Sequence, residues 1–417
     1  MPAIKRNHLE DARGLGRLAV DAAAGIVDVV ERMHRTVQRV PGPLGAAVEE
    51  RTRGVTGMVY RGVRGGLQML GEGLDAALTP LAALLPEGAH PPQREGLVCA
   101  LNGVYGDHLA LSGNPLAIGM SLRHAGSDLD LAHLEGSLSA AGATPASGKL
   151  LILVHGLCMS DLAWRRHGHD HGAALAAALG YTPVYVRYNS GLHIHENGRQ
   201  LAAQLEALVR AWPTRVRELV LLGHSMGGLV MRSAELHGRE HAQRWRGALS
   251  RMIFLGTPHQ GAPLERGGHW IDQALELSPY AAPFSRLGKT RSAGIRDLRH
   301  GTITPDGSHT HALPLDVECM TVAATLSRRR HLVAERLLGD GLVPLNSALG
   351  EHRDVARRLD FAPARRRIVY ETGHLELLSR PEVYAQLLAW LGPGRPMLLA
   401  APTQDAGTVE TPLLPQS

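Results

Sequence analysis

Leu219-Val220-Leu221-Leu222-Gly223-His224-Ser225-Met226-Gly227-Gly228 joins an apolar run of four to a Gly-x-Ser-x-Gly pentapeptide, and helix-like spacing continues from Met226 to Leu236. An apolar run bounded by glycine reads as a buried strand, and the segment after it as a helix entered without a connecting loop. Such a turn is so tight that a Cβ at Gly223 or Gly227 would strike the neighbouring strand or helix. It lifts the Ser225 hydroxyl to the carboxyl edge of a sheet and aims the positive end of the following helix at it.

The same alternation extends to both sides. Apolar runs at Leu150–Val154, Val184–Tyr188, Met252–Leu255, Val317–Ala323 and Ile368–Tyr370 are separated by helical stretches near Ala173–Leu179, Gly198–Ala211 and Glu382–Trp390, and Met120–Arg123 reads as a first strand. Strand and helix in alternation imply an α/β fold, a mostly parallel sheet covered by helices on both faces. The stretch of about 260–312 is too long for a simple connection and carries Pro263, Pro279, Pro283 and Pro305, so it reads as a cap or lid insertion. Its Trp270 and Phe284 are the candidate walls of a substrate pocket.

A serine nucleophile needs a base, and the base an orienting acid. His374, in Glu371-Thr372-Gly373-His374-Leu375 just after the last apolar run, occupies a loop at a strand's carboxyl end. His331 and His352 lie in arginine-rich surroundings that suit surface solvation. Asp340, in Gly339-Asp340-Gly341-Leu342-Val343, follows the Val317–Ala323 run and falls between Ser225 and His374. Its rivals are Asp316 and Glu318, which enter a strand, and Asp360, just ahead of the last one. Two backbone N–H groups must face the developing oxyanion. Met226 supplies one, and Leu157, in Val154-His155-Gly156-Leu157, the other. The histidines at 167, 169 and 171 and at 193 and 195 have no H-E-x-x-H helix near them, and Asp170 alone is a poor complement. They read as hydrogen-bonding groups or helix caps, and neither a metal nor another cofactor is expected.

The chain has 417 residues, 20% charged and 44% hydrophobic, values of an ordinary globular protein of two or three units. Net charge is +5, with arginines scattered and no basic-aromatic motif, so nucleic acid is not an expected partner. The three cysteines, Cys99, Cys158 and Cys319, are widely spaced and suggest no disulfide framework, which fits a reducing compartment. No signal peptide or membrane-spanning run is legible, and a cytoplasmic location follows as the expectation. Residues 1–90 read as an amphipathic helical region. Leu15, Leu18, Ala22, Ile26, Val29 and Met33 form its first stripe, up to Pro41-Gly42-Pro43, and a second, glycine-rich helix follows to about residue 85. Residues 8–85 are the expected surface for peripheral contact with a membrane or a lipid granule. Residues 86–97 read as a connector, 91–397 as the main domain, and 398–417 as a disordered tail.

Taken in order, Leu153-Val154-His155-Gly156-Leu157, Gly223-His224-Ser225-Met226-Gly227-Gly228, Gly256-Thr257-Pro258-His259-Gln260-Gly261 and Asp340-Gly341-Leu342-Val343 resemble the motifs of bacterial esterases and lipases of the α/β-hydrolase superfamily. They are also similar to those of the hydrolase domain of GPI inositol-deacylases. The likeness covers about Lys149 to Trp390. It implies an α/β-hydrolase fold, a small-molecule or lipid carboxylic ester as substrate, no cofactor, a Ser225-Asp340-His374 triad, and Leu157 and Met226 as oxyanion donors. Two other functions stay open on the residues alone. One is acyl transfer on the same triad, and the other a lipid- or granule-surface binding protein whose hydrolase domain is secondary.

Overall fold

The computed structural model describes residues 92–142, 147–261, 292–308, 311–328 and 339–392. The helical reading of residues 1–90, Trp270, Phe284 and most of the insertion, His331, and the tail from 393 lie outside these residues.

Eight strands form one sheet: β1 (Ser121–His124), β2 (Ser127–Asp128), β3 (Lys149–Val154), β4 (Thr182–Arg187), β5 (Glu218–His224), β6 (Leu249–Leu255), β7 (Glu318–Ala324) and β8 (Arg366–Val369). Their spatial order is β2-β1-β4-β3-β5-β6-β7-β8. β1 runs antiparallel to β2 and β4, and every pairing from β4 through β8 is parallel. Besides a one-turn helix at Leu345–Ala348, seven described α-helices surround the sheet: α1 (Pro92–Leu111), α2 (Leu134–Ala140), α3 (His171–Leu179), α4 (Ile194–Ala211), α5 (Met226–Glu240), α6 (Ala293–His300) and α7 (Pro381–Leu391). Among the described residues, no helix is long and apolar enough to cross a membrane.

The central strands are apolar throughout because both of their faces are covered. Leu150–Val154, Leu219–Leu222 and Met252–Leu255 have no exposed surface. Alternate residues serve opposite cores. Leu150, Ile152, Leu219, Leu221, Met252 and Phe254 pack with α4 and α5 on one face. Leu151, Leu153, Val220, Leu222, Ile253 and Leu255 pack with α3 and α7 on the other. β5 therefore sits mid-sheet, between the strand that leads to Gly156-Leu157 and the strand that leads to Gly256-Thr257.

All seven strands expected from the sequence are present, with ends shifted by at most three residues. The connector reading of 86–97 is not met within the described residues. The chain is already helical at Pro92, and α1 continues to Leu111 with a kink at Tyr105. Two features hid this helix. Proline at a first helical position starts a helix rather than breaking one. Val98, Cys99, Ala100 and Leu101 are buried consecutively, so no one-sided stripe marks the segment. α1 is bolted to the body: Glu95 pairs with Arg187 at the end of β4 through two contacts, of 2.5 and 3.0 Å. Burial raises that carboxyl, but the hydrogen bond and charge of Arg187 outweigh it and hold it at about 2.

α4 and α5 cross closely at Gly198, where an added Cβ would lie 2.3 Å from Ser233 Oγ and 2.9 Å from its backbone carbonyl carbon. Alanine would gain about 1 kcal/mol of helix propensity there. Overpacking costs roughly 1–3 kcal/mol. Gly198→Ala is therefore expected to lower the unfolding midpoint in urea. Gly247→Ala, where nothing lies within 4 Å, is the matched control and should leave it nearly unchanged.

Candidate active site

The site is built at the carboxyl edge, from the turn between β5 and α5. Ser225 has φ 55° and ψ −125°, left-handed for a residue with a side chain. Strain of this kind costs on the order of 1–3 kcal/mol. It is carried by the burial of Leu229, Val230, Met231 and Ala234 behind it, each fully enclosed. Full burial of a large apolar side chain stabilises by about 1.5–3 kcal/mol, so the helix as a whole outweighs the turn. The flanking glycines are required by contact. A Cβ on Gly227 would lie 2.3 Å from the Val154 carbonyl oxygen of β3, and one on Gly223 2.8 Å from the Gly228 nitrogen. The Ser225 N–H donates to Leu255 O at 2.9 Å, which ties the turn to the end of β6.

His374 and Asp340 meet beside this turn. The distance between His374 Nδ1 and Asp340 Oδ2 is 2.7 Å, with both side chains buried. The pair is also joined through backbone, since His374 N–H donates to Asp340 O at 3.1 Å. The other carboxylate oxygen, Oδ1, accepts from the Leu342 and Val343 N–H groups at 3.0 and 2.7 Å. Both carboxylate oxygens of Asp340 are thus engaged, and the imidazole is held through Nδ1, while its Nε2 makes no hydrogen bond among the described residues. Gly256, which follows Leu255, touches the pair: a Cβ built there would lie 3.2 Å from both Asp340 Oδ2 and His374 Nδ1.

His224, which the sequence reading left without a role, links the two halves. Its Nε2–H donates to His374 O at 3.1 Å, and the two rings lie 4.7 Å apart. Burial, and next the neighbouring His374, hold it well below the ordinary imidazole range, so it stays neutral. The only sequence signal for it was its place inside the pentapeptide.

The loop after β3 brings Leu157 to the same edge. Tyr188 donates its hydroxyl proton to His155 O at 2.8 Å and stacks on the His155 ring. Cys158, at φ 58°, donates its N–H to Ser190 Oγ at 3.0 Å. The backbone N–H groups of Leu157 and Met226 have no acceptor among the described residues. Met226 opens α5, where unpaired N–H groups are intrinsic to a helix end. Burial pushes the Cys158 thiol up to about 12, which removes it as a nucleophile.

The rival residues are engaged elsewhere. Asp316 and Glu318 form ion pairs with Arg246, and with Arg251 and Arg365. Asp360 is exposed, and His352 Nδ1 accepts the Asp354 N–H. In the first histidine group, His169 donates to His171 Nδ1 at 2.8 Å, and His171 donates to Leu377 O at 3.0 Å. Asp170, not a histidine, caps α3 through the Ala173 N–H. The second group is joined by a residue the sequence did not connect to it: Asp297 of α6, whose Oδ2 lies 3.0 Å from His193 Nδ1.

Four buried histidines here are held neutral. Desolvation lowers His155 and His171 from 6.5 to about 4, and His224 and His259 further. For each, the unfolded chain binds the proton first as pH falls. Their stabilising contribution is therefore complete above about 6.5 and is lost as pH falls below it, down to about 4 for His155 and His171 and further for His224 and His259. The thermal midpoint should fall steadily across that window, and His171→Gln should flatten the slope. A midpoint independent of pH from 7 to 5 would contradict the neutral, buried assignment.

The family described as PGAP1-like alpha/beta domain matches residues 145–313. No curated protein matches the chain. Among solved structures, the mature form of a Bacillus licheniformis lipase is 21% identical, with 60% of this chain and 94% of that one covered and a TM-score of 0.42. An esterase of Pyrobaculum calidifontis is 12% identical over 60% of this chain and 77% of its own, with a TM-score of 0.40. A naproxen esterase of Bacillus subtilis is 13% identical over 58% of this chain and 84% of its own, with a TM-score of 0.34. The family match spans the loop after β3, the Ser225 turn and the loop after β6, and the order and direction of the eight strands give the described residues a fold of the α/β-hydrolase type.

Proposed function

We propose that the protein is a serine hydrolase that cleaves a carboxylic ester through an acyl-enzyme on Ser225. The observation that carries this reading is the left-handed Ser225 at the head of α5 beside a buried His374 already oriented by Asp340 at 2.7 Å. In this reaction Ser225 Oγ attacks the ester carbonyl while His374 Nε2 takes its proton. Negative charge develops on the carbonyl oxygen and is met by the Leu157 and Met226 N–H groups and the positive end of α5. Collapse expels the alcohol, which receives the proton from His374. Water then repeats the sequence in reverse, releasing the acid and restoring Ser225. Asp340 keeps the ring in the required tautomer and stabilises the imidazolium. His224 positions the loop that carries His374 and does not touch the reacting atoms.

Ser225→Ala should reduce turnover of p-nitrophenyl esters by about 10⁴-fold or more and abolish labelling by a fluorophosphonate. An alanine variant that is still labelled would remove Ser225 from this role. Asp340→Asn should cost a comparable factor of about 10⁴ in kcat, through the wrong imidazole tautomer. Full activity in that variant, with activity lost on changing Asp360, would reassign the acid. We place the acyl-chain pocket at Trp270 and Phe284. Alanine at either position should shift the preferred chain length in an ester panel while leaving acetyl-ester turnover nearly intact, and an unchanged length profile would point to a small-ester esterase.

A further inference from the structure

We propose that His193, His195 and Asp297 form a site for one divalent transition-metal ion of the zinc type, which clamps α6 to the start of α4. Their ligand atoms all lie within 4.8 Å of one another, and they come from two segments about a hundred residues apart in sequence. His193 and His195 flank the first residue of α4, with rings 4.9 Å apart and only 29° from parallel. Asp297 Oδ2 accepts from the His193 ring at 3.0 Å and from the Ile194 N–H at 2.9 Å. Its other oxygen and both nitrogens of His195 make no hydrogen bond among the described residues. An ion pair between His193 and Asp297 accounts for one histidine only. It leaves unexplained why a second imidazole is stacked on the first and has a ring nitrogen within 4.8 Å of the same carboxylate.

The donor chemistry selects the ion. Two neutral imidazoles and a carboxylate suit zinc, cobalt or nickel, whereas calcium and magnesium require oxygen donors. Bonds of about 2.0–2.1 Å put tetrahedral ligand atoms roughly 3.3 Å apart. The 3.0 Å pair already fits, and the other separations, all within 4.8 Å, would have to close by at most about 1.5 Å. Binding replaces the His193 Nδ1 proton, which leaves to solvent, so uptake releases protons and weakens at low pH. The side chains of His193 and Asp297 are 39% and 12% exposed, which leaves the fourth position for water.

The clamp has a mechanical consequence. α6 lies within the 260–312 stretch and against the body. It is held there by Ser292 Oγ on Gly103 O at 2.7 Å, Ala293 N–H on Asp107 at 2.8 Å and Gly294 N–H on Gly191 O at 3.0 Å. Gly191 follows Ser190, whose hydroxyl accepts the Cys158 N–H next to Leu157. A metal at His193 would therefore stiffen α6 and the loop behind Leu157 in one step, without touching Ser225.

The test uses the full-length chain without a histidine tag, stripped with a chelator and dialysed. Zinc titrated calorimetrically should bind with one ion per chain, and cobalt should give the intense visible bands of a tetrahedral site. Zinc should also raise the thermal midpoint. His195→Ala and Asp297→Asn should each weaken zinc by about 100-fold or more, at least the loss seen on removing a mere supporting partner of a ligand. His195 is partly exposed, so its alanine variant keeps the fold and serves as the decisive one. Three outcomes overturn the proposal: no stoichiometric uptake, uptake unchanged in His195→Ala, or uptake lost in His169→Ala while His195→Ala retains it.

Discussion

Everything at the carboxyl edge of the sheet depends on how closely the first turn of α5 lies on the end of β3. Gly227 leaves room for nothing larger than hydrogen against the Val154 carbonyl. That contact sets the height of Ser225 and fixes its left-handed backbone. It also fixes the separation between the Met226 N–H and the loop carrying Leu157. The strain at Ser225 is local, whereas the burial that sustains it runs the length of α5, from Met226 to Leu236. A turn of this kind survives only behind a helix with a large buried face. The glycines at 223 and 227 are therefore a packing requirement first and a chemical one second.

A second constraint is electrostatic. The region around Ser225 holds several imidazoles, and a cationic neighbour would oppose formation of an imidazolium at His374. Burial prevents this: His224 and His155 have lost too much solvent to carry charge, and each donates its one ring proton to a backbone carbonyl. Among the described residues, the single buried anion in direct contact with His374 is Asp340. On the proposed mechanism, the His374 ring would take up a proton with one anion facing it and neutral dipoles around it, the preorganisation a general base needs.

Much of this was legible in the sequence because it rests on short-range rules. Strands that are apolar on both faces announce themselves, and so does a glycine-flanked serine between strand and helix. His374 and Asp340 could be picked out because each follows an apolar run that ends at the same sheet edge. The structure brings them within one hydrogen bond, although 34 residues separate them. What stayed hidden lacks a local signature. α1 is buried on several sides and anchored by polar groups such as Glu95 and Asn102, so its spacing shows no stripe. Asp297 could not be matched to His193 and His195 from sequence, since a carboxylate was sought beside the histidines and the fold supplies one from α6. Contacts between distant segments made by single polar side chains are the part of a fold that periodicity does not encode.

α1 changes how the body is bounded. Asn102 donates to Val98 O and Leu116 O and accepts from the Ile118 N–H, which closes the segment 92–118 into one unit. That unit reaches the site's supports: Gly106 O accepts from Asn189, and Gly103 packs against Cys158. A buried ion pair such as Glu95–Arg187 adds little net stability, because desolvating two charges offsets most of their attraction. Removing one partner is another matter, since the other is left buried and unpaired. The pair is thus better understood as a register pin, which makes any other placement of α1 on the end of β4 costly. Through it, the loops behind Leu157 inherit their position from a helix that precedes the first strand.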